Sequence, residues 1–310
     1  MKYLVTGGVG FIGSNLVDKL LADGHEVVVV DNLISENSIA RLKNGELSHW
    51  DDNQNLSLIK EDINSISDFS IFDNVDALFH LAALPNVQLS IDKPIEYHKA
   101  NITGTLNMLY ACNRAKIKRF IFSSSSAVYG EPKTLPSKEE AHLDYKSPYA
   151  LHKVVGEQYC QLFTSLYGIE TISLRYFNVY GKRQPMKGAY APVMGIFSNQ
   201  TLNNMPITIN GDGKQYRDFV YVGDVVTANI LSANIKFNNY DVFNIGSGIE
   251  FSINKVADLF DNKLPRKYKS PINEPRKSLA DIRKARSVLQ WKPKMQLIDW
   301  INDYKLKLGI

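Results

Sequence analysis

Over the first half of the chain, short apolar runs alternate with stretches of helical period. Tyr3-Leu4-Val5-Thr6 reads as a buried strand, and Glu26-Val27-Val28-Val29-Val30 as a second. Between them Leu16, Val17, Leu20 and Leu21 recur at helical spacing, and Gly24 closes that helix. Further strands are predicted at 56–60, 76–80, 118–123 and 170–175, and helices at about 94–116 and 148–167. Ser147-Pro148 supplies the cap and the first-turn proline of the last helix. This alternation predicts an α/β, Rossmann-type doubly wound parallel sheet over residues 1–175. After about residue 176 glycines, prolines and irregular polar segments thicken, as at 182–188 and 203–213. A smaller C-terminal lobe is therefore expected over 176–310, with pieces at about 222–246 returning to the main sheet.

Composition narrows the class. Hydrophobic residues make up 44% of the 310 positions and charged residues 22%, ordinary values for a globular protein. The net charge of +4 is small and forms no basic run, so no nucleic-acid partner is expected, although the sign suits an anionic substrate. Two cysteines, Cys112 and Cys160, lie in predicted helices without a Cys-x-x-Cys pair, which suits a reducing compartment. With six scattered histidines and so few thiols, no metal site is expected. The chain opens directly on a strand and holds no apolar run of membrane-spanning length, so neither a signal peptide nor a membrane association is expected, and the cytoplasm is the expected compartment.

Gly7-Gly8-Val9-Gly10-Phe11-Ile12-Gly13 falls between the first strand and the first helix, the context of a dinucleotide site. Glycines let backbone approach a pyrophosphate, and the helix N-terminus offers aligned N–H groups. Asp31 ends the second strand 18 residues past Gly13, where an acid would hold the adenosine ribose and repel a 2′-phosphate. NAD is thus favoured over NADP. The alternative is a tight strand–helix turn with an incidental acid.

The serine run Ser123–Ser126 ends a predicted strand, and Tyr149 and Lys153 share one helix face at i, i+4. A phenol beside an ammonium is expected to ionise more readily and to take a proton from an alcohol near neutral pH. Sixteen tyrosines also give chance matches to Tyr-x-x-x-Lys, whose ordinary reading is two solvated residues. Ligands of open α/β sheets lie at the C-terminal strand ends, where this pair begins.

The spacing Gly-x-x-Gly-x-x-Gly resembles the extended branch of the short-chain dehydrogenase/reductases. With Val128-Tyr129-Gly130, Arg175–Asn178 and Gly211-Asp212-Gly213…Arg217-Asp218-Phe219, the chain is similar to nucleotide-sugar epimerases over nearly its whole length, most of all to UDP-hexose 4-epimerases. The resemblance implies NAD as cofactor and a UDP-sugar as substrate, with C4 oxidised to a ketone and reduced from the other side. It implies a catalytic set of Ser125, Tyr149 and Lys153. The implied cofactor contacts are Gly7, Gly10, Phe11, Ile12 and Gly13 in the loop, Asp31 and Asn32, Asp62 and Ile63, Leu81, Ala82 and Ala83, then Asn101, Ser123, Tyr149, Lys153 and Phe177. For substrate it implies Ser125, Ser126, Tyr149, Asn178, Ala191, Arg217, Arg276 and Ser278; guanidinium forks suit the diphosphate.

Related 4,6-dehydratases carry a Thr-Asp-Glu run where this chain has Ser125-Ser126-Ala127, so elimination is not expected. Ser278 matches a position where a bulky Tyr closes the sugar pocket of relatives to an N-acetyl group, and a serine there leaves room. Gly188-Ala189-Tyr190-Ala191 and Arg276–Ile282 look like the N-acetylhexosamine-active subgroup of polysaccharide pathways, whereas Pro85-Asn86 replaces that subgroup's small Gly-Ser pair. A UDP-glucuronate 4-epimerase or decarboxylase is the alternative, and an NAD-binding sensor without turnover the distant one. The helices at 94–116 and 148–167 carry apolar residues beyond one face, among them Leu106, Met108, Leu109, Leu151, Val155 and Phe163; these are core or, as the resemblance implies, pair in a four-helix bundle across a homodimer.

Overall fold

The computed structural model describes every residue except 189–190, 237–238, 273 and 309–310. Its strands are β1 (Lys2–Thr6), β2 (Glu26–Val30), β3 (Leu56–Ile59), β4 (Ala77–His80), β5 (Arg119–Ser125), β6 (Glu170–Tyr176), β7 (Asn178–Tyr180), β8 (Ile207–Asn210), β9 (Tyr216–Tyr221), β10 (Tyr240–Ile245), β11 (Glu250–Ser252), β12 (Arg266–Lys269) and β13 (Lys277–Ser278). Its α-helices are α1 (Phe11–Ala22), α2 (Glu36–Lys43), α3 (Val87–Asp92), α4 (Pro94–His98), α5 (Gly104–Ala115), α6 (Pro148–Tyr167), α7 (Val193–Leu202), α8 (Val222–Asn234), α9 (Ile253–Phe260), α10 (Arg283–Val288) and α11 (Leu297–Leu308).

The chain divides into two units. The first comprises Met1–Ser125, Tyr145–Arg175 and Val226–Phe243. Its seven-stranded parallel sheet runs in the order β10-β6-β5-β4-β1-β2-β3, the reversal beside β1 marking a doubly wound Rossmann-type sheet. Val27–Val30 are buried on both faces, as strands of a helix-covered parallel sheet must be. One core cluster gathers Leu4, Val28, Leu78, Phe120 and Phe122 from strands with Leu109 and Cys112 of α5 and Cys160 and Phe163 of α6.

The second unit comprises Ser126–Asp144, Tyr176–Val225 and Asn244–Ile310. In it β9 pairs with β11, β13 and β7, while β8 pairs with β12. A separate core of Tyr180, Phe197, Phe219, Phe260 and Trp300 holds it together. Residues 126–144 belong here although they directly follow the strand β5.

Two expectations change. The helix predicted over 94–116 is not continuous: α4 passes through a π turn, Lys99–Thr103, into α5, and Lys116 stops it in the left-handed conformation at φ 59°. Of the apolar residues expected on a dimer face, Met108, Leu109 and Phe163 are core, because the sheet claims that side of both helices. Leu151 of that set is exposed, as are Tyr110, Leu162 and Leu166.

Candidate active site

The glycine loop leaves β1 and enters α1 by a path that side chains could not follow. Gly7 takes φ +69°, and a Cβ on Gly13 would stand 2.2 Å from the Gly7 carbonyl oxygen. Gly10 caps α1 without any side chain, so no side-chain acceptor covers the helix N-terminus. The Asp31 carboxylate accepts the Val9 amide at 3.0 Å and the Leu33 amide at 2.9 Å. Burial pushes its carboxyl up, while these two amides and the nearby Arg41 guanidinium act in the opposite direction. A carboxylate offers about four lone-pair positions, so Asp31 clamps the loop and keeps capacity for ribose hydroxyls. The residues fit a dinucleotide.

Around this cradle the expected cofactor residues are tied to one another. Asn32 Nδ2 donates to Asp62 at 2.9 Å, and the other Asp62 oxygen accepts the Asn64 amide at 2.8 Å. The Ile63 side chain is core and lies over Gly104, so only its backbone remains for a cofactor. Asn101, in the π turn, grips Leu84 through both its amide groups, at 2.8 and 3.0 Å. That placement explains a poor helix former inside a helix.

Sequence reading missed what lies beneath Leu81–Ala83. The Ala82 amide donates to Thr6 Oγ1, which lies 2.8 Å from His80 Nδ1. His80 Nε2 lies 3.0 Å from Thr105 Oγ1, whose own proton goes to the Asn101 carbonyl. Thr105 can then only accept from His80, which fixes the tautomer with the proton on Nε2. Burial drives the imidazole down to about 3, and the Lys153 charge adds to the effect. His80 is a neutral staple between β1, the 81–84 loop and α5.

The residues expected to transfer the proton sit where β5 meets α6. The Ser147 hydroxyl caps α6, and Tyr149 and Lys153 follow on one face. Lys153 Nζ donates to the Ser123 carbonyl at 2.7 Å and stands 5.8 Å from the Tyr149 ring centroid. The side chains of Ser125 and Tyr149 are hydrogen-bonded to each other. In the chain alone, burial pushes the Tyr149 phenol up, and the Ser125 bond offsets part of this. The expected lowering by Lys153 does not set the direction; removal of water from the phenol does. Lys153 shares the effect: burial lowers it to about 8, with Glu157 pulling it back up. Any phenolate here therefore requires further positive charge.

The residues expected on substrate lie in the second unit, apart from Ser125 and Tyr149. Ser126 opens a short 3-10 turn, and Ala191 donates its amide to Gly188, whereas Ala189 and Tyr190 of that motif lie outside the described residues. Phe177 is buried with its ring 6.2 Å from that of Tyr129. Asn178 Nδ2 donates to the Asp218 carbonyl. Arg217 is buried and donates to Glu274 at 3.0 Å, while Arg276 makes a two-pronged, exposed pair with Asp212 at 2.8 and 2.9 Å. Ser278 is half-buried with its hydroxyl enclosed and lacking a hydrogen-bond partner.

Asp218 organises this set, and its side chain was not singled out from sequence. Its buried carboxylate accepts from the Ser247 amide and hydroxyl, the Gly248 amide and the Ala280 amide, at 2.6 to 3.1 Å. It ties β9, which carries Arg217, to the segment after β13, which carries Ser278. Its signal was an acid flanked by Arg217 and Phe219 inside a strand, an expensive place for a charge unless it is hydrogen-bonded.

The profile of the NAD dependent epimerase/dehydratase family matches residues 3–246. A protein of Methanocaldococcus jannaschii described as a putative UDP-glucose 4-epimerase is 40% identical, the match covering 96% of this chain and 95% of that one. The UDP-N-acetylglucosamine 4-epimerase of Methanobrevibacter ruminantium, solved with UDP-N-acetylmuramic acid, is 36% identical with a TM-score of 0.87, covering 99% and 98% of the two chains. The UDP-glucuronic acid 4-epimerase of Bacillus cereus, solved with UDP-glucuronic acid and NAD, is 35% identical with a TM-score of 0.90, covering 99% and 100%. The glycine cradle with its acid, the Ser125–Tyr149–Lys153 group and these matches agree: the chain belongs to the NAD dependent epimerase/dehydratase family, among its UDP-sugar 4-epimerases, and is an NAD-dependent isomerase.

Proposed function

We propose that the protein interconverts UDP-GlcNAc and UDP-GalNAc, and UDP-Glc and UDP-Gal, by epimerisation at C4 through a 4-keto sugar. The observation that carries this reading is the hydrogen bond between Ser125 and Tyr149 one helical turn from Lys153, on the unit that holds the glycine cradle. Bound NAD supplies a hydride acceptor, and then the donor, at C4, and its oxidised ring adds positive charge. Tyr149 takes the 4-hydroxyl proton, and Ser125 hydrogen-bonds the reacting oxygen and carries part of that proton's path. Lys153 holds the phenolate by charge. With hydroxyls and a methyl at Ser125, Ser126 and Ala127, no carboxyl is available at these positions to expel water from C6, so the ketone is reduced rather than dehydrated.

Arg217, Arg276 and Asn178 of the second unit are assigned to the diphosphate and neighbouring groups. The Arg276–Asp212 pair is exposed and screened by solvent, so a phosphate can replace the Asp212 carboxylate at small cost. This firm hold on the diphosphate leaves the sugar free to turn its other face.

Ser278 is assigned as the gate for the N-acetyl group. Ser278→Tyr fills that space and is expected to cut kcat/KM for UDP-GlcNAc by about 100-fold while sparing UDP-Glc, an added bulk costing about 1–3 kcal/mol. Equal turnover of both sugars by the variant would refute the gate. UDP-glucuronate is the second reading, favoured by the likeness to the Bacillus cereus enzyme. Incubation with UDP-Glc, UDP-GlcNAc and UDP-GlcA, followed by separation of epimers, discriminates between the two.

The exposed stripe of Leu151, Leu162 and Leu166 on α6, with Tyr110 on α5, is assigned to a homodimer contact between helices. A dimer mass in sedimentation equilibrium is expected, falling to that of a monomer in Leu162→Glu/Leu166→Glu; an unchanged mass in the variant would remove this assignment. No described helix is long and apolar enough to cross a membrane. Both cysteines are buried without a disulfide, which suits the cytoplasm.

A further inference from the structure

On the helix of Tyr149 and Lys153 lies a buried acid that the mechanism leaves unused. Glu157 stands on α6 one turn past Lys153 and two past Tyr149, so the three share a face. Three consecutive residues of β5 meet this face. The Ser123 carbonyl accepts from Lys153 at 2.7 Å, the Ser124 hydroxyl donates to Glu157 at 2.5 Å, and the Ser125 side chain bonds Tyr149. From β6, Arg175 grips both Glu157 oxygens, at 2.9 and 2.7 Å. Glu157 and Arg175 are each only 4% exposed. A buried ion pair is weak support for stability on its own, so its place beside the reacting pair calls for another reason.

We propose that Glu157 is a positioning residue of the proton-transfer pair, setting the register of α6 against β5 and keeping Lys153 charged. The groups facing it are Ser124 from β5, Arg175 from β6, Tyr240 from β10, and Lys153 and Cys160 on its own helix. Those facing Lys153 are Tyr149, His152, Glu157 and Cys160 on α6, His80 from β4 and the Ser123 carbonyl with the Phe122 ring from β5. His80 and His152 are both held neutral near physiological pH by burial. Glu157 is therefore the carboxylate that opposes the desolvation of Lys153, and Cys160, pushed far up by its own burial, carries no charge there.

The proposal rests on the epimerase reading for its significance, but its test does not need turnover. In protein purified with its NAD and labelled with ¹³C at the lysine ε-carbons, the Lys153 signal, assigned by its loss in Lys153→Met, is titrated in wild type, in Glu157→Gln and in Glu157→Gln/Arg175→Met. The glutamine keeps the acceptor for Ser124, and the double variant relieves the arginine left buried without its partner. Glu157→Gln is expected to move the Lys153 midpoint to lower pH by about one pH unit, a tenfold change in proton affinity, and the double variant, which also loses the Arg175 charge, to move it the same way by less. The alkaline limb of kcat/KM for the UDP-sugar should move with it while KM holds. An unmoved midpoint in Glu157→Gln, folded by circular dichroism, would overturn the proposal even if turnover survives, as would a rise in the double variant. A moved midpoint in a protein inert to UDP-sugars would uphold it and reject the epimerase reading instead.

Discussion

Tyr149→Phe is expected to lower kcat for epimerisation by about 10³-fold, the scale of losing a positioned general base. The substitution deletes one oxygen from a side chain that is 9% exposed, and the ring keeps its packing. Its hydroxyl bonds Ser125, the half-buried last residue of β5, so no large stability loss follows. The melting temperature and the content of bound NAD should therefore match wild type, separating chemistry from folding. In the chain alone the phenol is held up by burial, and the proposed base is its deprotonated form, which added positive charge would favour. Wild-type activity should accordingly climb as pH rises through the phenol's titration, since only the deprotonated oxygen accepts the sugar's proton. Undiminished turnover by the phenylalanine variant would mean that another group takes it.

Gly13→Ala is expected to empty the cofactor site. The added carbon would lie 2.2 Å from the Gly7 carbonyl oxygen and 2.8 Å from Gly8 Cα. Both obstacles are backbone, so the loop must move rather than a side chain swing away. Such overpacking costs about 1–3 kcal/mol, and the moved loop no longer presents its amides to a pyrophosphate. Affinity for NAD should fall by about 100-fold, measured by fluorescence titration, with epimerase activity lost in proportion. Gly24→Ala is the control. Its Cβ meets nothing within 4 Å, but φ is +79°, so it should lower the melting temperature and leave NAD affinity intact. A Gly13→Ala protein that retains NAD would show that the cofactor lies elsewhere.

The strands and the glycine loop were legible because each rests on local signals: apolar runs of strand length, an obligatory glycine path, and Asp31 at a fixed spacing. The break at Lys99–Thr103 was not, since a π turn differs from an α-helix by one residue of hydrogen-bond offset and leaves the apolar period nearly intact. Core and dimer face stayed open for Met108, Leu109 and Phe163 because both sides of α5 and α6 carry apolar residues, and only the fold says which side meets the sheet.

At the site, Tyr149 and Lys153 announced themselves by i, i+4 spacing, and the same rule extended one turn would have reached Glu157. Arg175 was quoted only as part of a motif, its carboxylate partner being on another element. Nothing local links Thr6, His80 and Thr105, which meet only after β1, β4 and α5 assemble. Asp218 illustrates the same limit: its four donors come from segments 29 to 62 residues away. The raised phenol was missed for a related reason, since spacing reports which charge is near but not how much water is removed.

The central claim is that the hydrogen at C4 leaves one face of the sugar and returns to the other on the same carbon, without exchange. Incubating the purified protein with UDP-GlcNAc carrying deuterium at C4 tests this most directly. The account predicts that UDP-GalNAc accumulates to an equilibrium mixture with the deuterium retained at C4. Product whose deuterium has exchanged with solvent, or a protein that binds NAD and returns every UDP-sugar unchanged, would contradict it.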